Sequence, residues 1–466
     1  MAIKVTIIGA GSVVFSLGLV KDLCLTPGLQ GSRVCFMDID EERLDVVYRL
    51  AIRYAEDLGA ELTFERTLDR EAALQESDFV INTATVTHNE YFMKRRRELT
   101  AEHGYFYGRT GMPEYHNLQM MLDVARDMER ICPDAWILLA GNPVFDGSTL
   151  MARETGIKVC GLCHGHYGYQ QIARTLGLDP DKITWQAPGL NHNIWLTHFY
   201  HDGQDVYPLL DAWIENEAEA YWRENDNVSA QMSRSAIHQY RMYGLMPVGD
   251  TPRRGGWWYH VDLETRKRWY GGSGGGDTPA GRDRILQDKA KKFEQMKQAA
   301  YDGQARPIGM FGDQMTTEQH VPIIDGLVND NEGQFQVNVP NCGAFAGIPA
   351  DVVVELPAVV NKKGIQPLQV APLPRKILLE CLYPDWLQME RTLEALLSGD
   401  LSMMLFGVLE NHQTRSYEQA LEVMDALLHI EPNEPMAHVQ DINEHYGWPH
   451  NTSRAFTQPT AQGDRT

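Results

Sequence analysis

Residues Ile3–Ile8 form a short β-branched run that passes without a break into Gly9-Ala10-Gly11-Ser12. A strand that ends in closely spaced glycines and then enters a helix leaves few folds open. The first glycine permits a tight turn, and the second lets backbone approach a pyrophosphate at the N-terminus of the following helix. Val14 stands where a third glycine is often found, so the turn is expected to be looser. The next strand-like run, Arg33–Met37, ends at Asp38. A carboxylate at that place accepts hydrogen bonds from the adenosine ribose and repels a 2′-phosphate, which favours NAD over NADP. Gly9, Gly11, Ser12 and Asp38 are the expected cofactor contacts, with Thr83 at the end of Phe79–Thr83 and Asn142 after Trp136–Leu139. A plain structural turn beside a surface acid is the alternative.

Further strand-like runs are Leu62–Glu65, Lys158–Leu162 and Ile183–Gln186, and helical patterns such as Glu41–Glu56 and His116–Arg130 lie between the strands. This alternation implies βαβ units, an α/β fold and a Rossmann-like, doubly wound sheet. Right-handed crossovers put the strand C-terminal ends along one edge, where ligands bind. After Asn191 the rhythm changes. Helical patterns cover Leu209–Arg223, Ala280–Tyr301, Lys376–Leu397 and Ser416–His429, and strand-like runs cover Gln334–Val339 and Val352–Glu355. A glycine-rich loop spans Tyr270–Gly276. The expected organisation is a nucleotide-binding domain over 1–190, a mixed α+β catalytic and oligomerisation domain over 191–448, and a flexible tail over 449–466.

The 466 residues are 43% hydrophobic and 23% charged, with a net charge of −21. That balance suits a globular protein and argues against nucleic acid, whose phosphates demand a basic face. No apolar stretch approaches the roughly 20 residues needed to span a bilayer, so no membrane role is expected. The N-terminal run is too short for a signal peptide, and the seven cysteines are an odd, scattered set. Both point to the cytoplasm.

Lys158–Leu162 ends at Cys163-His164-Gly165-His166-Tyr167-Gly168, and the next strand leads to Gly189-Leu190-Asn191-His192. A thiolate and an imidazole on strand ends at the same edge can share a metal, with open positions for substrate oxygens. Cys160 and Cys163 also form a C-x-x-C pair, which elsewhere marks a redox motif or half a zinc site. A buried apolar role for a lone cysteine also stays open.

The glycine turn, the Cys163-His164 step and Gly189–His192 together resemble the family-4 glycoside hydrolases, the NAD- and divalent-metal-dependent group. Gly141-Asn142-Pro143-Val144 and Val337-Asn338-Val339-Pro340-Asn341-Cys342-Gly343 add to the likeness, which spans residues 3–430 in order. The resemblance implies a fold of the lactate/malate dehydrogenase-like kind and a mechanism outside the usual two-carboxylate scheme. NAD would take hydride from C3 of the sugar. The ketone acidifies the C2 proton, and a metal, typically manganese, held by Cys163 and His192 would stabilise the enolate. A base takes the C2 proton, the glycosidic oxygen leaves, water adds at C1 and hydride returns. Asn142, Asn191 and His192 would contact the sugar. Homodimers or homotetramers are also implied.

Members acting on phosphorylated sugars carry Asp after the metal cysteine and a Tyr base. Here His164 follows Cys163, and Asp250 in Leu245–Thr251 stands in the place of the Tyr. Asp250 is the candidate base, against a turn aspartate after glycine. His164 is the candidate acid or sugar contact, against a structural histidine. A family Gly-Gln-Glu-Thr-like segment reads Tyr107-Gly108-Arg109-Thr110. Arginine binds carboxylates bidentately, and Arg253 and Arg254 follow the candidate base. These arginines suit a carboxylate on the substrate, against surface or structural charges, and the Cys163–Gly168 segment resembles the uronic-acid branch; together they imply a small α-linked uronic-acid oligosaccharide, galacturonide ahead of glucuronide. Trp257–His260 would stack a sugar or pack in the core. The alternatives are a family-4 α-glucosidase or α-galactosidase, an NAD-dependent 2-hydroxy acid dehydrogenase, and a non-catalytic NAD-binding sensor.

Overall fold

The strands of the first half are built from residues that tolerate burial on both faces, as a covered parallel sheet requires. In the computed structural model they are β1 (Lys4–Ile8), β2 (Arg33–Met37), β3 (Thr63–Thr67), β4 (Phe79–Asn82), β5 (Trp136–Leu139) and β6 (Lys158–Gly161). The structure describes residues 2–86, 90–106, 110–112, 114–225, 231–254, 262–265, 279–303 and 305–430. Arg109, the glycine-rich segment over 270–276, Trp257–His260 and the tail over 449–466 lie outside the described residues, as does the side chain of Arg254.

The six strands are parallel and run in the order β3-β2-β1-β4-β5-β6. This is the doubly wound arrangement expected from the sequence, except that Ile183–Gln186 does not extend it and joins a separate antiparallel sheet. The order reverses between β1 and β4, so a crevice opens beyond their carboxyl ends. The sheet does not stop at β6. Remaining strands are β7 (Ile183–Gln186), β8 (Gly189–Leu190), β9 (Asn193–Leu196), β10 (His198–His201), β11 (Gln204–Asp205), β12 (Met246–Val248), β13 (Gly333–Pro340), β14 (Val353–Asn361) and β15 (Gly364–Pro367). β13 pairs antiparallel with β6, and β14, β8, β9 and β12 follow outward, with β15 against β14. Among the described residues twelve strands thus form one sheet, and β11-β10-β7 form a second.

Helix α1 (Val13–Leu25) starts directly after the glycine turn and buries Leu17, Val20 and Leu23, with Val14 exposed. Helix α2 (Glu41–Leu58) begins at Asp40, whose carboxylate accepts from Arg43 N at 3.0 Å. Glu41 and Glu42 favour its N-terminus, and Gly59 closes it in the left-handed conformation. Two expected helices are divided. Leu209–Arg223 breaks at Glu217 into Tyr207–Asn216 and Ala218–Glu224. Lys376–Leu397 contains a π turn over Leu378–Leu382 just before Pro384, which has no N–H to continue the regular ladder.

The described residues divide into two compact units, one within Met1–Thr85 and Met121–Tyr383, the other within Val86–Met120 and Pro384–Thr466. The first holds both sheets and two apolar cores, one around β1, α1 and α2, the other around β9, β12 and Trp213. In the second, described structure is helical, and Tyr105 Oη meets Thr414 Oγ1 at 2.7 Å. No helix among the described residues is long and apolar enough to cross a membrane.

The face α1 presents to the core can be checked directly. Leu17→Ala is expected to cost about 2–5 kcal/mol in urea unfolding, as for other buried leucines. Val14→Ala, at an exposed site, is expected to stay within about 0.5 kcal/mol.

Candidate active site

All described candidate residues lie in the first unit, at loops that leave the sheet edge. After β1 the chain turns at Gly9, and Gly9 N and Ala10 N both donate to Met37 O, at 2.9 and 3.1 Å. Gly9 has φ +82°, and a Cβ there would lie 2.5 Å from Ala84 N. No other residue type fits that turn without moving the loop after β4. Thr83 braces the same contact, its hydroxyl within 2.9 Å of Gly9 O and 3.1 Å of Ile8 O. Ser12 is exposed at the cap of α1, and the first turn of α1 carries no acid. Such an end favours an anion.

Asp38 sits across the turn. Gly11 N donates to its Oδ2 at 2.6 Å and Asp40 N to its Oδ1 at 2.9 Å. Burial raises its pKa, against those two backbone bonds. Each carboxylate oxygen keeps a lone pair for a ribose hydroxyl. Asn142 is exposed on the loop after β5, followed by a cis bond to Pro143 and the helix Val144–Glu154. The glycine turn, Asp38 and this loop fit a dinucleotide.

β6 ends just before Cys163, which is half-buried, whereas Cys160 lies fully buried within the strand. The two thiols therefore do not form a redox turn. His192 follows β8 with φ +64°, and its Nε2 lies 3.3 Å from Asp250 Oδ2. Asp250 follows β12, and Gly249 lets its loop press against the Cys163 loop: a Cβ at Gly249 would lie 2.5 Å from Gly165 Cα. Cys163 thus feels both Asp250 and the Asn191 amide. Burial pushes its thiol up to about 12, helped by the Glu355 charge and opposed by the Gly165 N–H and Asn191. A divalent cation supplies the charge that draws off such a proton.

Among the described residues no three His, Cys, Asp or Glu side chains gather as a ready metal cage. A thiol and an imidazole flanking one carboxylate nevertheless suit a divalent metal whose other positions are filled by substrate oxygens or water. Arg253, expected near the substrate, is engaged with Asp250: its Nη2 meets Asp250 Oδ1 at 2.5 Å.

Two acids were not singled out from the sequence. Glu355 is 1% exposed in the middle of β14. Asn191 Nδ2 donates to its Oε2 at 2.9 Å. Burial raises the Glu355 carboxyl to about 7, against the amides of Asn191, Gln336 and Asn338, with Asp250 adding to the rise. The readable signal is a single acid in Val352-Val353-Val354-Glu355-Leu356, an otherwise apolar strand. Glu318 is the second. His164, which is exposed, meets its Oε2 through Nε2 at 2.8 Å, and His320 Nδ1 lies 3.2 Å from the same oxygen. Burial opposes the Glu318 charge, but the two histidines outweigh it and hold the carboxyl at about 2. No periodicity marks this loop residue.

Residues 4–178 match the sequence model of the family 4 glycosyl hydrolases, and residues 187–414 match that of the family's C-terminal domain. The chain belongs to family 4 of the glycosyl hydrolases and is a glycosidase. It is 25% identical over 402 residues to an alpha-galactosidase from Bacillus subtilis, spanning 80% of this chain and 85% of that one. It is 24% identical over 431 residues to an alpha-galacturonidase from Lachnoclostridium phytofermentans, spanning 86% and 90%. A solved 6-phospho-alpha-glucosidase from gut microorganisms, in complex with NAD and Mn2+, shares the fold with TM-score 0.74 at 19% identity, over 96% of this chain and 99% of that one. A lactate dehydrogenase from Eimeria maxima with NADH and oxamate shares it with TM-score 0.53 at 15% identity, over 86% and 97%.

His166 gives the site a pH signature. It is buried, stacked on Trp185 with ring centroids 5.3 Å apart. Burial lowers its pKa from 6.5 to about 3, helped by His164 and opposed by the Cys163 carbonyl. The folded chain keeps this ring neutral while the unfolded chain protonates it. Its stabilisation is therefore complete above the unfolded value and drains away as pH falls toward the folded one, by about 1.4 kcal/mol per pH unit. Urea unfolding of His166→Phe is expected to lose that part of the slope between pH 6 and 5, while the contribution of the raised Glu355 carboxyl is common to both proteins. An unchanged slope would place the ring in solvent.

Proposed function

We propose that this glycosidase cleaves α-linked uronides, α-galacturonides first and α-glucuronides next, using NAD and a divalent metal, manganese foremost. The observation that carries the reaction class is the approach of the Cys163, His192 and Asp250 loops on the sheet edge that also bears the glycine turn. The NAD- and Mn2+-bound relative supports the same pair of cofactors. The uronide choice is supported by Arg109 in the Tyr107–Thr110 segment, by the Cys163–Gly168 sequence and by the alpha-galacturonidase relatives. A neutral α-galactoside is the second reading, because the B. subtilis alpha-galactosidase matches at nearly the same identity.

Gly9, Gly11 and Ser12 hold the pyrophosphate, Asp38 the ribose, and Thr83 keeps the turn in place. Cys163 and His192 hold the metal, and Asn142 and Asn191 orient the sugar. Bound there, NAD supplies a temporary acceptor for the C3 hydride and the metal a Lewis acid toward the sugar hydroxyls. Asp250 then takes the acidified C2 proton. The electron pair left at C2 forms a double bond to C1, the bond from C1 to the glycosidic oxygen breaks, and that oxygen leaves with a proton from His164. Water adds across the double bond: C1 gains the hydroxyl, C2 regains a proton from Asp250, and the remaining proton of water returns to His164. Oxidation at C3 would also release the O3 proton to solvent; once that proton and the hydride are both back, the C3 hydroxyl is restored and no net oxidation remains.

The test is incubation with NAD, manganese, a thiol reductant and digalacturonic acid, following both released galacturonate and NADH absorbance. The expected result is release without net NADH, reduced at least about 100-fold in Cys163→Ala. Steady NADH accumulation without release would overturn the hydrolytic cycle. Faster turnover of a neutral α-galactoside would overturn the uronide choice alone.

A further inference from the structure

His164 and Glu318 are 154 residues apart in sequence yet meet at 2.8 Å. An ion pair with one exposed partner usually contributes little. This one differs in what stands behind it. Glu318 is only 13% exposed, and its Oε2 is shared between His164 and His320. Its segment is fastened to α1: Asp22, fully buried, accepts from Thr316 N at 2.7 Å and from the Thr316 hydroxyl. Thr316 Oγ1 in turn accepts from Glu318 N at 3.0 Å. A second tie joins the same two loops, since Tyr167 Oη donates to Thr317 O at 3.0 Å. Phe15, also on α1, meets the His320 ring edge-on at 5.4 Å. The carboxylate is therefore held from several sides, and His164 is the exposed partner that it holds.

We propose that Glu318 is a positioning residue for His164: by accepting from Nε2 it sets the ring's orientation and leaves Nδ1 as the nitrogen turned to the glycosidic oxygen. A carboxylate behind a working imidazole does this wherever ring orientation and tautomer matter. The inference rests on the role given to His164 above. It also explains why an exposed histidine next to Cys163 need not wander. The chain of contacts starts on the helix that follows the nucleotide turn, so the acid is placed by the same element that frames the cofactor.

The experiment uses the full chain with NAD and manganese, the disaccharide it turns over fastest, and the matching nitrophenyl glycoside. The nitrophenolate leaves without a proton, so only the disaccharide needs the acid. Glu318→Ala is expected to lower kcat on the disaccharide on the order of 10- to 100-fold. KM should stay within about twofold and the nitrophenyl rate within about threefold, because sugar binding and C2 deprotonation are untouched. Glu318→Gln, whose amide oxygen still accepts from Nε2, is expected to recover most of the loss. Equal losses on both substrates, or no rescue by Gln, would overturn the proposal, since a merely structural carboxylate would act that way. His164→Ala separates the two layers. A leaving-group-dependent loss there without one in Glu318→Ala overturns the positioning role alone. No such loss in His164→Ala overturns the acid assignment and the positioning role with it.

Discussion

A carboxylate closed off from water in the middle of a β-sheet must be neutralised, hydrogen-bonded or both, because isolated buried charge costs several kcal/mol. Glu355 is that group here, and the environment of Cys163 follows from how it is satisfied. Asn191 reaches it from the loop after β8, and Gln336 and Asn338 reach it from β13. Of those amides, Asn191 joins segments 164 residues apart in sequence, and Gln336 and Asn338 join the neighbouring β13 and β14. They also fix Asn191, whose amide touches the Cys163 thiol as well. The buried acid thus sits beneath the candidate site as its support. With both Glu355 and the Cys163 thiol raised by burial, the pocket without a cation favours protonated, neutral groups. Binding a divalent cation reverses that preference locally and couples metal uptake to proton release.

The same edge of the sheet serves two purposes. Toward β1 and β4 it carries the glycine turn, Asp38 and Asn142, where order reversal opens a crevice. Beyond β6 the sheet continues antiparallel, and its added strands bring in Asn191, His192, Asp250 and Glu355. A parallel nucleotide-binding sheet therefore gains a second set of polar groups without a separate scaffold. Shape alone does not distinguish a dehydrogenase from a glycosidase. The difference lies in side chains: a thiol at the end of β6, and an imidazole and a carboxylate on the added half.

Much of this was legible in the sequence because the signals are local. β1, its glycine turn and Asp38 fall within 35 residues of one another, and turn chemistry dictates each. The strand end before Cys163 was readable from the crossover rule, whereas Ile183–Gln186 lies in the second sheet and His192 sits in the turn between antiparallel β8 and β9, which that rule does not reach. What could not be read was pairing between distant segments. The two residues of β8 carry no pattern, and the contact of β13 with β6 rests on Asn338 opposite Gly161. Glu318 was hidden in a polar loop, since an acid there usually faces water, and only the fold shows His164 against it. Arg253 reads as a free cation in sequence, but three residues along a helical turn it meets Asp250. The helix expected over Lys376–Leu397 missed its wide turn because the strain comes from a single absent N–H at Pro384.

On the proposed route, the C2 proton of the sugar is removed and replaced during hydrolysis. Turnover in D2O followed by NMR of the released sugar tests it most directly. Asp250, the proposed base, is 35% exposed, so a proton taken from C2 would exchange with solvent before return. The predicted product carries deuterium at C2 after a single cleavage. Product with ordinary hydrogen at C2, formed at the full rate, would contradict the redox-elimination route and point to direct displacement at C1.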